Sequence, residues 1–156
     1  MAITGTYAAN EAISFKDCMV EVDLTAGGTF VPIDSWATEV TVSGEDVATS
    51  EAYPFAGSAI VFAGNKSPVE VQITAVYTEG SDDPFQNIRD RFEAADGPII
   101  EVRFVPAGSA SGNFRFTTSG GKLIACPPPQ GAGDASSAQT FTFVVKADSL
   151  GRDAIT

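Results

Sequence analysis

Histidine is absent from the 156 residues. Its absence removes the commonest general base and metal ligand, and with them every Ser-His or Cys-His nucleophile. Cysteine is nearly absent too. Cys18 and Cys126 stand far apart with no CxxC spacing, which gives no support to a disulfide framework or a zinc site and leaves both as small buried hydrophobes. Basic residues number 9 against 20 acidic ones, a net charge of -11, and no Lys/Arg run is available to neutralise phosphates. Sequence-reading DNA binding is disfavoured on that ground. No stretch approaches the ~20 apolar residues of a membrane span. The start, MAITGTYAANEAISF, has neither the basic residues nor the apolar run of a signal peptide, so cytoplasmic synthesis is expected.

Phosphate and cofactor signatures are missing as well. Ser119-Gly120-Gly121-Lys122 lacks the spacing of a phosphate-binding loop, and Gly131-Ala132-Gly133 lacks the third glycine of a dinucleotide fingerprint, so both read as turns. Glu79, Asp82 and Asp83 crowd together, but their spacing matches no calcium loop, and acids before a helix are explained by capping and the helix dipole. No metal, cofactor or catalytic residue is expected.

What the sequence does contain is apolar content, 44% against 19% charged residues, enough for one folded domain. Residues 1–16 have no sustained periodicity and read as an extended arm. At 18–24, CMVEVDL alternates, with Cys18, Val20, Val22 and Leu24 on one face and Glu21 and Asp23 on the other. A short strand is expected at 29–33. TEVTVS at 38–43 alternates again, with Val40 and Val42 inward and Glu39 outward. The strongest strand is VEVQITAVYT at 69–78, with Val69, Val71, Ile73 and Ala75 on one side and Glu70 and Gln72 on the other.

The period then changes. Asp83 stands as an N-cap, Pro84 suits the first helical position, and Phe85, Ile88 and Phe92 recur at helical spacing, which predicts one helix over about 83–95 laid on a sheet. Loss of the Asp83 cap is expected to cost ~1 kcal/mol. Further strands are expected at 99–105, 114–118, 122–126 (ended by three prolines) and 139–147, and residues 149–156 read as a short tail. The fold class is mainly β: a sandwich or open barrel of about seven or more strands with one flanking helix, in a single domain over 17–148.

One stretch resists this reading. Residues 44–68 lack clear periodicity yet carry Tyr53, Phe55, Ile60 and Phe62, which is too much apolar surface for a solvated linker. Either a neighbouring subunit covers it, or it forms a hairpin folded back on its own core.

The order of parts, an arm, strands, the long loop, VEVQITAVYTEG, the helix DDPFQNIRDRFEAAD and strands to the end, resembles the major tail tube proteins of long-tailed bacteriophages over nearly the whole chain. The segments WATEVTVSGED and VYTEG carry the likeness together with the helix. The resemblance implies a β-sandwich whose inner strands join those of identical neighbours into one barrel, with hexameric rings stacked into a tube that conducts DNA during ejection. It implies a virion protein assembled in the host cytoplasm. Its partners would be copies of itself, a tape measure protein inside the tube, and tail-tip and tail-terminator proteins at the ends, with DNA passing through unread. An acidic lumen would then repel phosphates: two unit charges 10 Å apart in water interact by only ~0.4 kcal/mol, but the repulsion repeats along the tube. Glu21, Asp23, Glu39, Glu70 and Gln72, on polar strand faces, are the candidates for that wall. Residues 1–16 and the loop bearing Tyr53, Phe55, Ile60 and Phe62 are the candidate intersubunit contacts. Competing readings are a head decoration or tail completion protein, or a carbohydrate- or receptor-binding sandwich using Trp36, Tyr53 and Tyr77.

Overall fold

The computed structural model describes residues 15–131, 133 and 138–156. Most of the arm expected at 1–16 lies outside the described residues. A 3-10 turn at Phe15–Asp17 leads into β1 (Met19–Asp23), which pairs antiparallel with β2 (Val31–Pro32). β3 (Ala37–Gly44) runs towards a two-stranded ribbon, β4 (Val47–Ala52) and β5 (Ile60–Lys66), and the chain returns in β6 (Val69–Val76). The helix α1 (Pro84–Glu93) follows, then β7 (Glu101–Val105), β8 (Phe114–Ser119), β9 (Lys122–Ala125), β10 (Thr140–Ala147) and β11 (Ser149–Ala154).

Two antiparallel sheets form the body, one ordered β11-β8-β7-β1-β2 and the other β3-β6-β10-β9. Alternation does the work that period two demands. Val71, Ile73 and Ala75 of β6 and Phe141, Phe143 and Val145 of β10 meet Val20 and Val22 of β1 and Val102 and Phe104 of β7 in one core. Thr118 is buried among them because its hydroxyl answers both backbone groups of Val102, accepting from the N–H at 2.8 Å and donating to the carbonyl at 3.3 Å.

The helix closes one open side of the sandwich. Ile88 is fully buried, and Phe85, half-buried, meets Tyr77 and Phe141 edge-on at 5.0 and 5.1 Å. Phe92 also packs on the core, and Arg89 passes over its ring while donating to the Cys126 carbonyl at 2.6 Å. Asp83 occupies the N-cap position, but its side chain makes no bond to the first turn of the helix. The carboxylate instead accepts from Gly80 N–H at 2.7 Å, so it fixes the turn before the helix. No helix among the described residues is long and apolar enough to cross a membrane.

Three regions differ from the sequence reading. Residues 149–156, expected as a tail, contain β11, which pairs along the whole of β8 and covers its edge. Val42 is 41% exposed rather than inward, because it stands near the end of β3, an edge strand of its sheet. The stretch 44–68, read as a long loop or a hairpin folded back on the core, is the β4–β5 hairpin, exposed along both strands.

That hairpin continues the β3–β6 pair through a built bend. Gly44 and Glu45 both have left-handed backbones, φ 89° and 61°. Opposite them Ser67 clasps Asp46 from both sides, its N–H donating to the Asp46 carbonyl at 2.7 Å and its hydroxyl accepting from the Asp46 N–H at 3.0 Å. A Cβ on Gly44 would stand 2.3 Å from the Pro68 carbonyl oxygen. Gly44→Ala is therefore expected to lose about 2 kcal/mol of stability, read as a lower urea midpoint, from left-handed strain and the clash together.

Candidate functional site

The hairpin is the outstanding surface of the molecule. Every residue of β4 and β5 is exposed, and the two strands pair with each other and with no other strand. Apolar side chains nevertheless crowd it: Phe55 is fully exposed, Tyr53 75%, Val61 61%, Phe62 52% and Ile60 50%. The four residues singled out from the sequence, Tyr53, Phe55, Ile60 and Phe62, thus all lie on this one element, together with Val47 and Val61, which the sequence reading did not single out. The hairpin does not fold back on its own core.

Its two faces differ. Pairing sets Ser50 opposite Phe62 and Ala52 opposite Ile60, so one face carries Ala52, Ile60, Phe62 and Ser50 without a charge. The other carries Thr49 opposite Ala63 and Glu51 opposite Val61, and Glu51 accepts a bond from the Tyr53 hydroxyl.

The five polar candidates do not share one surface. Glu39, Glu70 and Gln72 lie together on the outer face of the four-stranded sheet, with Thr41 beside Gln72 and Thr142 beside Thr74 in the same layer. Lys146 stands opposite Glu70 and pairs with it at 2.9 Å, and Lys122 stands opposite Lys146, so the acids here are offset by an equal number of lysines. Glu21 belongs to the other sheet, where it pairs with Arg103 at 2.5 Å while the guanidinium lies 4.2 Å from the centre of the Phe30 ring. The outer faces of two stacked sheets point in opposite directions, so Glu21 cannot line the same wall as Glu70.

Asp23 is not on a polar face at all. It is 1% exposed, and its carboxylate accepts from the backbone N–H of Thr25, Gly28 and Thr29 at 3.0, 2.6 and 3.0 Å and from the Thr25 hydroxyl at 3.0 Å. Burial alone would raise its carboxyl, but these four bonds outweigh it and hold the group below the ordinary carboxylate range. Asp23 is the peg around which the β1–β2 turn is wound.

Nothing in the described residues assembles as a reaction centre. No group of three or more His, Cys, Asp or Glu there is placed to hold a metal ion. Burial pushes the Cys18 and Cys126 thiols above their usual range, the opposite of an activated thiolate. The aromatics of a sugar-binding face do not converge either: Trp36 and Tyr77 pack against the core at one end of β3, and Tyr53 stands on the hairpin beyond the other end.

The sequence matches no family model and no curated protein. Solved structures do match. A chain of the sheath-tube complex of an extracellular contractile injection system, in its extended state, aligns with TM-score 0.68 at 14% identity, covering 94% of this chain and 95% of that one. The tail of an empty GTA particle, refined helically with C6 symmetry, gives TM-score 0.64 at 15% identity over 92% and 100% of the two chains. The SPP1 tail tube gives 0.65 at 9% identity over 92% and 80%.

What is shared is the fold. This β-sandwich with one flanking helix is the architecture of chains found in tube and tail assemblies, and the match runs through nearly the whole length of the chain.

Proposed function

We propose that this chain is a structural subunit that assembles with its own copies into stacked hexameric rings, forming a tail tube through which DNA leaves a phage particle. The observation that carries the reading is the hairpin, a two-stranded ribbon whose apolar side chains stand exposed and which pairs with no other strand among the described residues, borne on a fold also met in tubes and tails. An isolated hairpin is marginal in water. A neighbouring copy would supply the cover that the body does not.

The four-stranded sheet is the one suited to the lumen. Among the described residues its edge strand β3 has no strand on its outer side, the other edge strand β9 is bridged only at its start, where Ile99 stands opposite Lys122, and the outer face is mostly polar, with Glu39, Glu70, Gln72 and a layer of threonines. Edge-to-edge joining of such sheets around a ring would remove every free edge and present that face inward. Repulsion of DNA there rests on Glu39 and Glu70, moderated by Lys122 and Lys146. The remaining partners in this reading are a tape measure protein within the lumen and tip and terminator proteins at the two ends, in a virion assembled in the host cytoplasm.

A second reading shares the tube but not the cargo. The balance of two lysines against two acids on the candidate lumen face suits a conduit for protein, as a contractile injection system would need, better than a strongly acidic wall would. Negative-stain microscopy of the purified protein tests the common part: rings or tubes of uniform diameter are expected. A protein that stays monomeric at high concentration would overturn both readings. The purified particle separates them, since DNA is expected in a virion and absent from a protein-injecting device.

A further inference from the structure

The body carries an apolar hollow of its own, at the end of β3 away from the hairpin. Between β2, α1 and the start of β3 lies a cavity of about 270 Å³ lined by Leu24, Val31, Ile33, Trp36 and Ile88, with Asp82 and Asn87 as polar side chains in its wall. At ~30 Å³ each, on the order of nine waters fill it. Most of them face hydrocarbon, and water so poorly held is favourably displaced by an apolar group. The polar groups decide what that group should carry. Among the described residues no donor or cation answers the Asp82 carboxylate, which is exposed. Asn87 donates its side-chain N–H to the Asp83 carbonyl at 3.0 Å, which leaves its side-chain oxygen able to accept. Trp36 adds an aromatic ring, whose face attracts a cation. The segments that wall the cavity, 22–36 and 79–88, contain Asp23, Asp34, Glu79, Asp82 and Asp83 and no lysine or arginine.

We infer that this cavity is a binding site for a small organic amine, its hydrocarbon body seated on Leu24, Val31, Ile33 and Ile88 and its ammonium held by the Asp82 carboxylate and the Trp36 ring. The site is separate from the hairpin and does not rest on the tube reading. Size sets the class of ligand. Pockets for drug-sized molecules span roughly 300–1,000 Å³, so this smaller one takes a body of about nine heavy atoms. Charge sets the head group. An anion would meet Asp82 and the other acids of both walls, and a neutral alcohol would forgo a charge-assisted bond, which is roughly twice as strong as a neutral one. Entry needs no opening of the core, because β2 is an edge strand and Val31, in its wall, is 53% exposed.

Trp36 is the single tryptophan of the chain, so fluorescence excited at tryptophan reports on this cavity alone. Titration of the purified chain with phenethylammonium is expected to shift Trp36 emission saturably, with Kd on the order of 1 mM. Phenethyl alcohol, the neutral analogue, should bind at least tenfold more weakly, and phenylacetate should give no saturable change. Asp82→Asn, at an exposed position, should leave the thermal midpoint unaltered and bring the amine down to the affinity of the alcohol. An amine bound no better than the alcohol, a preference that survives Asp82→Asn, or no saturation by the amine at any attainable concentration would overturn the inference. Two other occupants reveal themselves in the same assay. Acetyl-Phe-Arg-amide binding more tightly than the amine would give the cavity to a side chain of a partner protein, and a Trp36 shift on concentrating the chain alone would give it to a second copy; either result would also overturn the inference. Whether rings form is read by microscopy and is untouched by each of these outcomes.

Discussion

Removal of residues 48–62 is expected to yield a folded, monomeric body that forms no tubes at any attainable concentration. The deleted segment holds most of the hairpin, all of it exposed, and contributes no residue to the core. Its loss therefore exposes little new apolar surface on the body. Circular dichroism should retain the parental β signal and a thermal midpoint within a few degrees, while microscopy and sedimentation show single chains. Tubes of normal appearance from this deletion would refute the assignment of intersubunit contact to the hairpin. An unfolded product would show that the ribbon props up the sheet it extends.

Asp23→Ala should destabilise the isolated chain more than any surface substitution. Three backbone N–H groups and one hydroxyl converge on this buried carboxylate, and hydrogen bonds to a charged group contribute ~1.5–3 kcal/mol each, non-additively. The turn over 24–29 is largely exposed and can loosen so that water reaches some of the released donors. The net expectation is about 3 kcal/mol, or roughly 6–12 °C in Tm for a domain of this size. The difference should depend on pH in a defined direction. The native carboxyl lies below its ordinary value, so its stabilisation is fully present above the unfolded value, ~3.9, and is lost as pH falls through the lower native one. Parent and variant melting curves should converge in acid and stay apart at neutral pH; a gap that persists at pH 2 would show that the charge is not what holds the turn.

How much of this was legible beforehand depended on burial. β1, β6 and β10 announce themselves because one face of each is pressed into the core, so alternate residues are constrained: Val69, Val71, Ile73 and Ala75 are all fully buried. The helix was legible for the same reason, through Ile88 and through Pro84 at its first turn. Where no core presses on a strand, no period is written. The hairpin strands VATSEA and IVFAGNK are exposed on both faces, and β11, SLGRDA, is an edge strand whose pairing with β8 is carried by backbone groups.

The polar candidates show a second kind of limit. Alternation tells which residues of a strand are polar, but not which of two sheets the strand joins. Glu21 and Glu70 look alike in sequence and end on opposite sides of the sandwich. Asp23 obeys the alternation of β1 on paper, yet at the strand's last residue the chain turns back over it. The clue lay in the following TAGGT, whose glycines leave several N–H groups in search of an acceptor.

The hairpin leaves one end of the β3–β6 pair, where Gly44 faces Val69, and this gives any stack of these subunits a direction. One terminus would present a fringe of unengaged aromatic fingers, and the other would not. Whatever nucleates the structure and whatever caps it must therefore be different in shape, and elongation from the two extremities should proceed at unequal rates.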